Sequence, residues 1–202
     1  MTLRAFLAPI ALCLSFGAAS ASSLSTAYNS NNGQDGNMFD VLIGASDLTI
    51  TSLAVNIDAQ ADMRLYLKTG SYVGSDTTAS DWTLVDSISG LASAGVDNAS
   101  LWDVADFNLE AGTRYGFYVT TIDGGMNYTN GTSVGDVAAS NTDLTIFEGA
   151  GKAYAFGNTF EPRVWNGTIN YTATSQIPVP AALPLSMAGL GALALMRRFR
   201  RA

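Results

Sequence analysis

Seventeen carboxylates, no histidine and a single cysteine set the chemistry this chain can attempt. Without histidine, neither a Ser-His-Asp nor a Cys-His arrangement can be built. Zinc loses its usual nitrogen and sulfur ligands for the same reason. The glycines fall in turns, and none forms a phosphate-cradling loop between a strand and a helix. Paired carboxylates remain. A glycosidase needs two of them about 5–10 Å apart across the scissile bond. Glu110, Glu148 and Glu161 are the only glutamates, beside 14 aspartates. So many acids supply some pair at that spacing in any fold, and solvated surface carboxylates are the reading they favour. Calcium is the one metal the pattern offers, because hard cations take oxygen ligands. Asp35, Asn37 and Asp40 cluster in a Gly-rich stretch and form the candidate ligand set, although Asn-Gly-Asp runs are also ordinary turn chemistry. No other cofactor is implied. Sugar binding would use aromatic faces, and Trp82, Trp102, Trp165, Tyr72, Tyr118, Tyr128 and Tyr154 are available.

The elements that must carry these residues read as strands. Leu48 and Ile50 alternate with Thr49 and Thr51, and Leu53, Val55 and Ile57 continue on the opposite parity. That switch predicts a bulge near Thr51 and Ser52. Met63, Leu65 and Leu67 alternate with Arg64, Tyr66 and Lys68. Tyr115, Phe117 and Val119 alternate with Arg114, Gly116 and Tyr118. Trp165, Ile169 and Tyr171 share one face of a late strand. These period-two patterns, rich in β-branched and aromatic residues, are separated by Asn/Asp/Gly clusters. The expectation is eight to ten strands in an all-β, antiparallel β-sandwich with jelly-roll topology. Parity buries Leu65, Leu67, Phe117 and Val119, and exposes Arg64, Lys68, Arg114 and Tyr118. Tyr118 thereby becomes the candidate glycan-contacting aromatic, and Trp165 a core residue.

Charge separates this body from the ends of the chain. Residues 22–175 hold all 17 acids but only Arg64, Lys68, Arg114, Lys152 and Arg163, a net charge of −12. That balance argues against nucleic acid, whose phosphates need clustered cations. At the N-terminus, Arg4 precedes an apolar run from Phe6 to Phe16, and Ala19-Ser20-Ala21 supplies small residues. Residues 1–21 therefore read as a secretory signal peptide cut between Ala21 and Ser22. Cys13 lies inside it, so the mature chain is free of cysteine. At the C-terminus, Ile177-Pro178-Val179-Pro180-Ala181 opens a stretch with no charge from Ala181 to Met196, followed by Arg197, Arg198, Arg200 and Arg201. The arginines should stay cytoplasmic and leave the body on the far side of the membrane. A helix starting at Pro184 is about 20 Å long, short for a permanent anchor.

This order of Pro-containing motif, apolar helix and basic cluster resembles the PEP-CTERM sorting signals of Gram-negative bacteria, in the VPLPA variant. The match falls on Pro178, Pro180 and Ala181, with conservative changes at Ile177 and Val179. The resemblance implies handling by an exosortase, a membrane protease that removes residues 176–202 after transient anchoring in the inner membrane. The body resembles a secreted bacterial domain carried by such proteins. The similarity lies in residues 31–40, 68–74, 115–119 and 163–168, and it implies class and location without any catalytic residue.

Three functions follow as expectations. The first is an exported structural or adhesive component of the cell surface or an exopolysaccharide matrix, without catalytic activity. The second is a glycan-binding jelly-roll module, and the third a secreted glycan hydrolase built on carboxylates. An exposed aromatic strip would favour the second, and a cleft with two facing acids the third.

Overall fold

A computed structural model describes residues 20–174. The signal segment before Ser20, the sorting motif Ile177–Ala181 and the arginines from Arg197 to Arg201 lie outside the described residues. Fifteen strands follow one another: β1 (Ser20–Ser25), β2 (Asn32–Gln34), β3 (Gly36–Ile43), β4 (Leu48–Val55), β5 (Ala61–Thr69), β6 (Thr83–Leu91), β7 (Ser100–Trp102), β8 (Phe107–Leu109), β9 (Arg114–Thr121), β10 (Met126–Asn130), β11 (Val137–Ser140), β12 (Leu144–Phe147), β13 (Gly149–Lys152), β14 (Thr159–Trp165) and β15 (Gly167–Ala173). A single 3-10 turn at Ala79–Asp81 is the only helical element among the described residues. The strands outnumber the expected eight to ten because several are three or four residues long, too short to show alternation.

The strands form two antiparallel sheets. The small sheet runs β1-β15-β4, with β7 and β8 sharing the far edge of β4. The large sheet runs β2-β10-β14-β13-β3-β9-β5-β6, and β12 joins β3 beside β13. One apolar cluster draws on both sheets: Phe39, Leu65, Phe117 and Val119 from the large sheet meet Leu48, Leu53, Trp102, Ile169 and Tyr171 from the small one. Phe39 stacks between Trp165, at 4.6 Å, and Phe117, at 5.6 Å. Such aromatic pairs contribute beyond the area they bury.

The parity switch in β4 has the predicted cause. Ser52 pairs with Asn170 and Ile50 pairs with Tyr171, so Thr51 is the extra residue of a bulge. Ile50 and Leu53 both reach the core because of it. The late strand needs correction. Trp165 ends β14 in the large sheet, Ile169 and Tyr171 belong to β15 in the small sheet, and Asn166 is the crossover between them. All three side chains are nevertheless buried, since both strands face the shared core.

Strand β9 departs further from expectation. Every residue from Tyr115 to Thr121 is buried, Tyr118 included. Parity correctly aims Tyr118 away from Phe117 and Val119, but the outer face of the large sheet is roofed. Segment 70–82 brings Tyr72 and Trp82, segment 153–158 brings Phe156, and these pack on Met38, Ala150, Tyr66 and Tyr118. Arg114 and Lys68 are only half-exposed, Lys68 because of the roof and Arg114 because of its neighbours on β3 and β12. Arg114 lies 4.3 Å over the Phe147 ring and pairs with Asp40 at 3.1 Å, while Lys68 donates to the Ser71 carbonyl at 2.6 Å. Arg64 is half-exposed with its guanidinium on the Met63 carbonyl, and Leu67 is only partly buried against the core.

Candidate functional site: the open face of the small sheet

Several sequence candidates end up beneath the roof. Tyr118 lies 5.1 Å from Phe156, 5.6 Å from Tyr66 and 6.2 Å from Trp82. Burial pushes its hydroxyl up to about 12. It is a packing residue and offers no face to a sugar. Trp82, Trp102, Trp165, Tyr72 and Tyr128 are buried too, and among the seven aromatics considered only Tyr154 keeps substantial exposure. Their burial follows from the size of the rings, which are the largest apolar areas available to two separate clusters.

The calcium set does not converge. Asn37 and Asp40 sit on β3, not in a loop, and their odd and even positions point them to opposite faces. Asp40 is taken by the Arg114 guanidinium and by the Tyr72 backbone N–H, which donates at 2.9 Å. Asp35 precedes the strand and accepts the Tyr154 backbone N–H at 2.8 Å. Asn37 donates to the Ala150 carbonyl, and its own side-chain oxygen is buried without a partner. Two of the three glutamates considered for hydrolysis are likewise engaged as acceptors. Glu148 takes the backbone N–H groups of Thr132 and Ser133, and Glu161 takes the Tyr72 hydroxyl at 3.0 Å.

Among the described residues no segment roofs the small sheet, and its outer face carries a regular side-chain array. Because Leu24, Ile169 and Leu53 point inward together, their neighbours point outward in cross-strand rows. One row is Ser25, Thr168, Ala54 and Leu101. The next is Ser23, Asn170 and Ser52. The third is Ala21, Thr172, Thr49 and Asn108. No member of any row is charged, although the body carries −12. Each row is tied by one side-chain hydrogen bond. Ser25 and Thr168 share one at 2.7 Å, Asn170 donates to Ser52 at 3.0 Å, and Thr49 donates to Asn108 at 2.7 Å. Hydroxyl groups have one donor and two acceptor lone pairs, so each still has bonding capacity toward a ligand.

Tyr28 stands at one end of this face. Its hydroxyl reaches the Ala54 carbonyl and the Thr168 hydroxyl, both at 3.2 Å. Burial raises its pKa above the usual tyrosine value. Two pins hold its segment. The Thr26 hydroxyl donates to the Trp165 carbonyl at 2.5 Å and accepts the Gly167 N–H at 2.9 Å. Ser30 donates its backbone N–H and its hydroxyl to the Asp97 carboxylate, at 2.8 and 2.7 Å. Those bonds, led by the Ser30 hydroxyl, hold the Asp97 carboxyl below its ordinary value. At the β1 side of the face a shallow depression of about 280 Å³ is bordered by Ala21, Ser22, Ser23, Thr51, Asn170 and Tyr171. Ala21 and Ser22, the predicted cleavage pair, are thus paired residues of β1, opposite Thr172 and Tyr171.

The face is flat, neutral, and dense in hydroxyl and carboxamide groups, with one tyrosine at its margin. It presents hydrogen-bond donors and acceptors to a ligand but no cation to pair with phosphate or carboxylate. Sequence reasoning passed over it because Ser, Thr and Asn look generic in any one strand. The signal is the absence of charge across three strands, and it appears only once their register is known. No protein-family model matches the chain, and no curated protein is similar to it.

Proposed function

We propose that the protein is an exported structural or adhesive component of the cell surface or extracellular matrix, and that it attaches to neutral polysaccharide through the open face of its small sheet. The observation that carries this reading is the uncharged hydroxyl and carboxamide array on a body of net −12. Nucleic acid and anionic polymers would meet like charge around it, whereas a neutral glycan would lose few ionic hydration shells on docking. No catalytic step is assigned. Strand order supports the finer fold reading of a jelly-roll sandwich. Apart from the three-residue strands β2 and β8, the chain up to β9 and at its end visits the small sheet at β1, β4, β7 and β15 and the large sheet at β3, β5, β6 and β9. Orders β1-β15-β4-β7 and β3-β9-β5-β6 are those of two interleaved Greek keys, with β10 to β14 added before the last strand.

Export by the signal segment and processing of the tail by an exosortase complete the proposal. Support comes from the sequence of the two ends: the apolar run from Phe6 to Phe16 before Ala19-Ser20-Ala21, and the order of Pro-containing motif, uncharged stretch and arginines from Ile177 to Arg201. Co-sedimentation with insoluble polysaccharides tests the function. The body should pellet with a neutral polymer and stay in solution with a polyanionic one. Binding to the polyanion alone, or to neither, would overturn the reading.

A further inference from the structure

The opposite side of the molecule contains a lysine in an unusual position. Lys152, the last residue of β13, has a side chain with no exposure to solvent. No other cationic side chain among the described residues is buried. Buried ammonium groups are ordinarily paired closely with a carboxylate. Here the closest carboxylate oxygen, Oδ2 of Asp76 in the roof segment, is 4.0 Å away. The Lys152 amine donates instead to the Gly157 carbonyl at 2.6 Å and to the Thr159 hydroxyl at 2.7 Å. Thr159 in turn donates to that same Asp76 oxygen at 2.5 Å. A poor ion pair and one bridging hydroxyl therefore link a fully buried ammonium to a carboxylate that is 29% exposed.

We infer that Lys152 and Asp76 are poised to condense into an intramolecular amide cross-link that fastens the roof to the large sheet. Nζ of Lys152 attacks Cγ of Asp76, an Nζ–Cγ bond forms, and the Cγ–Oδ2 bond breaks. The ammonium gives up two protons and Oδ2 leaves with them as water, so the step balances without an oxidant or co-reactant. Thr159 is the positioning residue for the proton path, because its hydroxyl accepts from the nitrogen that loses protons and donates to the oxygen that gains them. The condensation removes the ill-paired ammonium from the interior, together with the charge of its partly exposed partner. Burial lowers the pKa of Lys152 and favours its nucleophilic free amine, an effect that Asp76 and then Glu161 oppose. Glu161, the other carboxylate facing this site, is held by the Tyr72 hydroxyl. Fixing both reactants on packed elements replaces a bimolecular encounter.

Protease mapping of the denatured protein, purified from the cells that export it, tests the link directly and does not depend on any variant folding. The expected result is a branched peptide joining the segment with Asp76 to the one with Lys152, one water lighter than its parts and resistant to trypsin at Lys152. Separate peptides of full mass, with normal cleavage after Lys152, would overturn the proposal. Thr159→Val keeps both reactants and should slow appearance of the branched peptide by about 10²-fold. An unchanged rate in that variant would remove Thr159 from the path.

Discussion

The two outer faces of this molecule lie on the backs of sheets that share one core, yet they are built by opposite means. The large sheet hides its back beneath segments 70–82 and 153–158, spending Tyr72, Trp82, Tyr118 and Phe156 as packing and burying Lys152 with them. The roof is fastened by specific bonds. Trp82 donates from its indole to the Ser75 carbonyl at 2.9 Å, and Ser75 donates to Asp81 at 2.6 Å. The small sheet has a back that no other described segment covers, and that back carries mainly Ser, Thr and Asn. In this fold large rings mark the face that is closed, and small neutral polar groups mark the face that is available.

Truncations of the packed rings of β9 should have the largest effects. Phe117→Ala, in the shared core, should cost about 3–5 kcal/mol. Tyr118→Ala, on the other side of the same strand, should cost about 3 kcal/mol, because it too leaves a cavity among packed rings. Denaturant midpoints decide this. A Tyr118→Ala change within about 0.5 kcal/mol of wild type, the usual surface value, would mean that the roof does not pack.

Alkaline pH probes the same face without removing atoms. Tyr118 titrates at about 12 in the folded protein and near 10 when unfolded. The raised value means that the native state holds its proton more tightly. The stabilisation is whole below about pH 10 and is lost as pH rises toward 12, by roughly 2–3 kcal/mol. Tyr72 is shifted in the same direction by burial and by Glu161, and adds to the slope. Thermal midpoints of wild type and Tyr118→Phe across that window should diverge, with the variant falling less steeply. Parallel curves would place Tyr118 in contact with water.

The open face should be the tolerant one. Asn170→Ala removes the bond to Ser52 from a half-exposed position and should change stability by no more than about 1 kcal/mol. A loss as large as that of Tyr118→Ala, read from the same denaturant curves, would make the array structural.

What the sequence could reveal follows the same division. The bulge at Thr51 and the burial of Leu65, Phe117 and Trp165 were legible, because side-chain alternation is a local property. The facing of Tyr118 was legible as well, but its environment was not. Parity says which way a residue points, and whether another segment covers it depends on where segments 70–82 and 153–158 travel. Asp35, Asn37 and Asp40 look like one loop in sequence, and the strand that starts at Gly36 turns two of them to opposite faces. The rows of the open face were hidden by distance along the chain, since Ser25 meets Thr168 across 143 positions. Strands as short as β7, β8 and β12 carry too few residues for a period to register.

The central claim is that binding belongs to the open face, and one matched pair of charge insertions tests it. Asn170→Asp places a carboxylate in the middle of the neutral rows. Val73→Asp places the same charge on the roof, where Val73 is 61% exposed. Affinity for a neutral insoluble polysaccharide should fall by about tenfold or more in the first variant, equivalent to about 1.4 kcal/mol, and stay at the wild-type value in the second. Equal affinity in all three proteins, or a loss confined to Val73→Asp, would contradict the account.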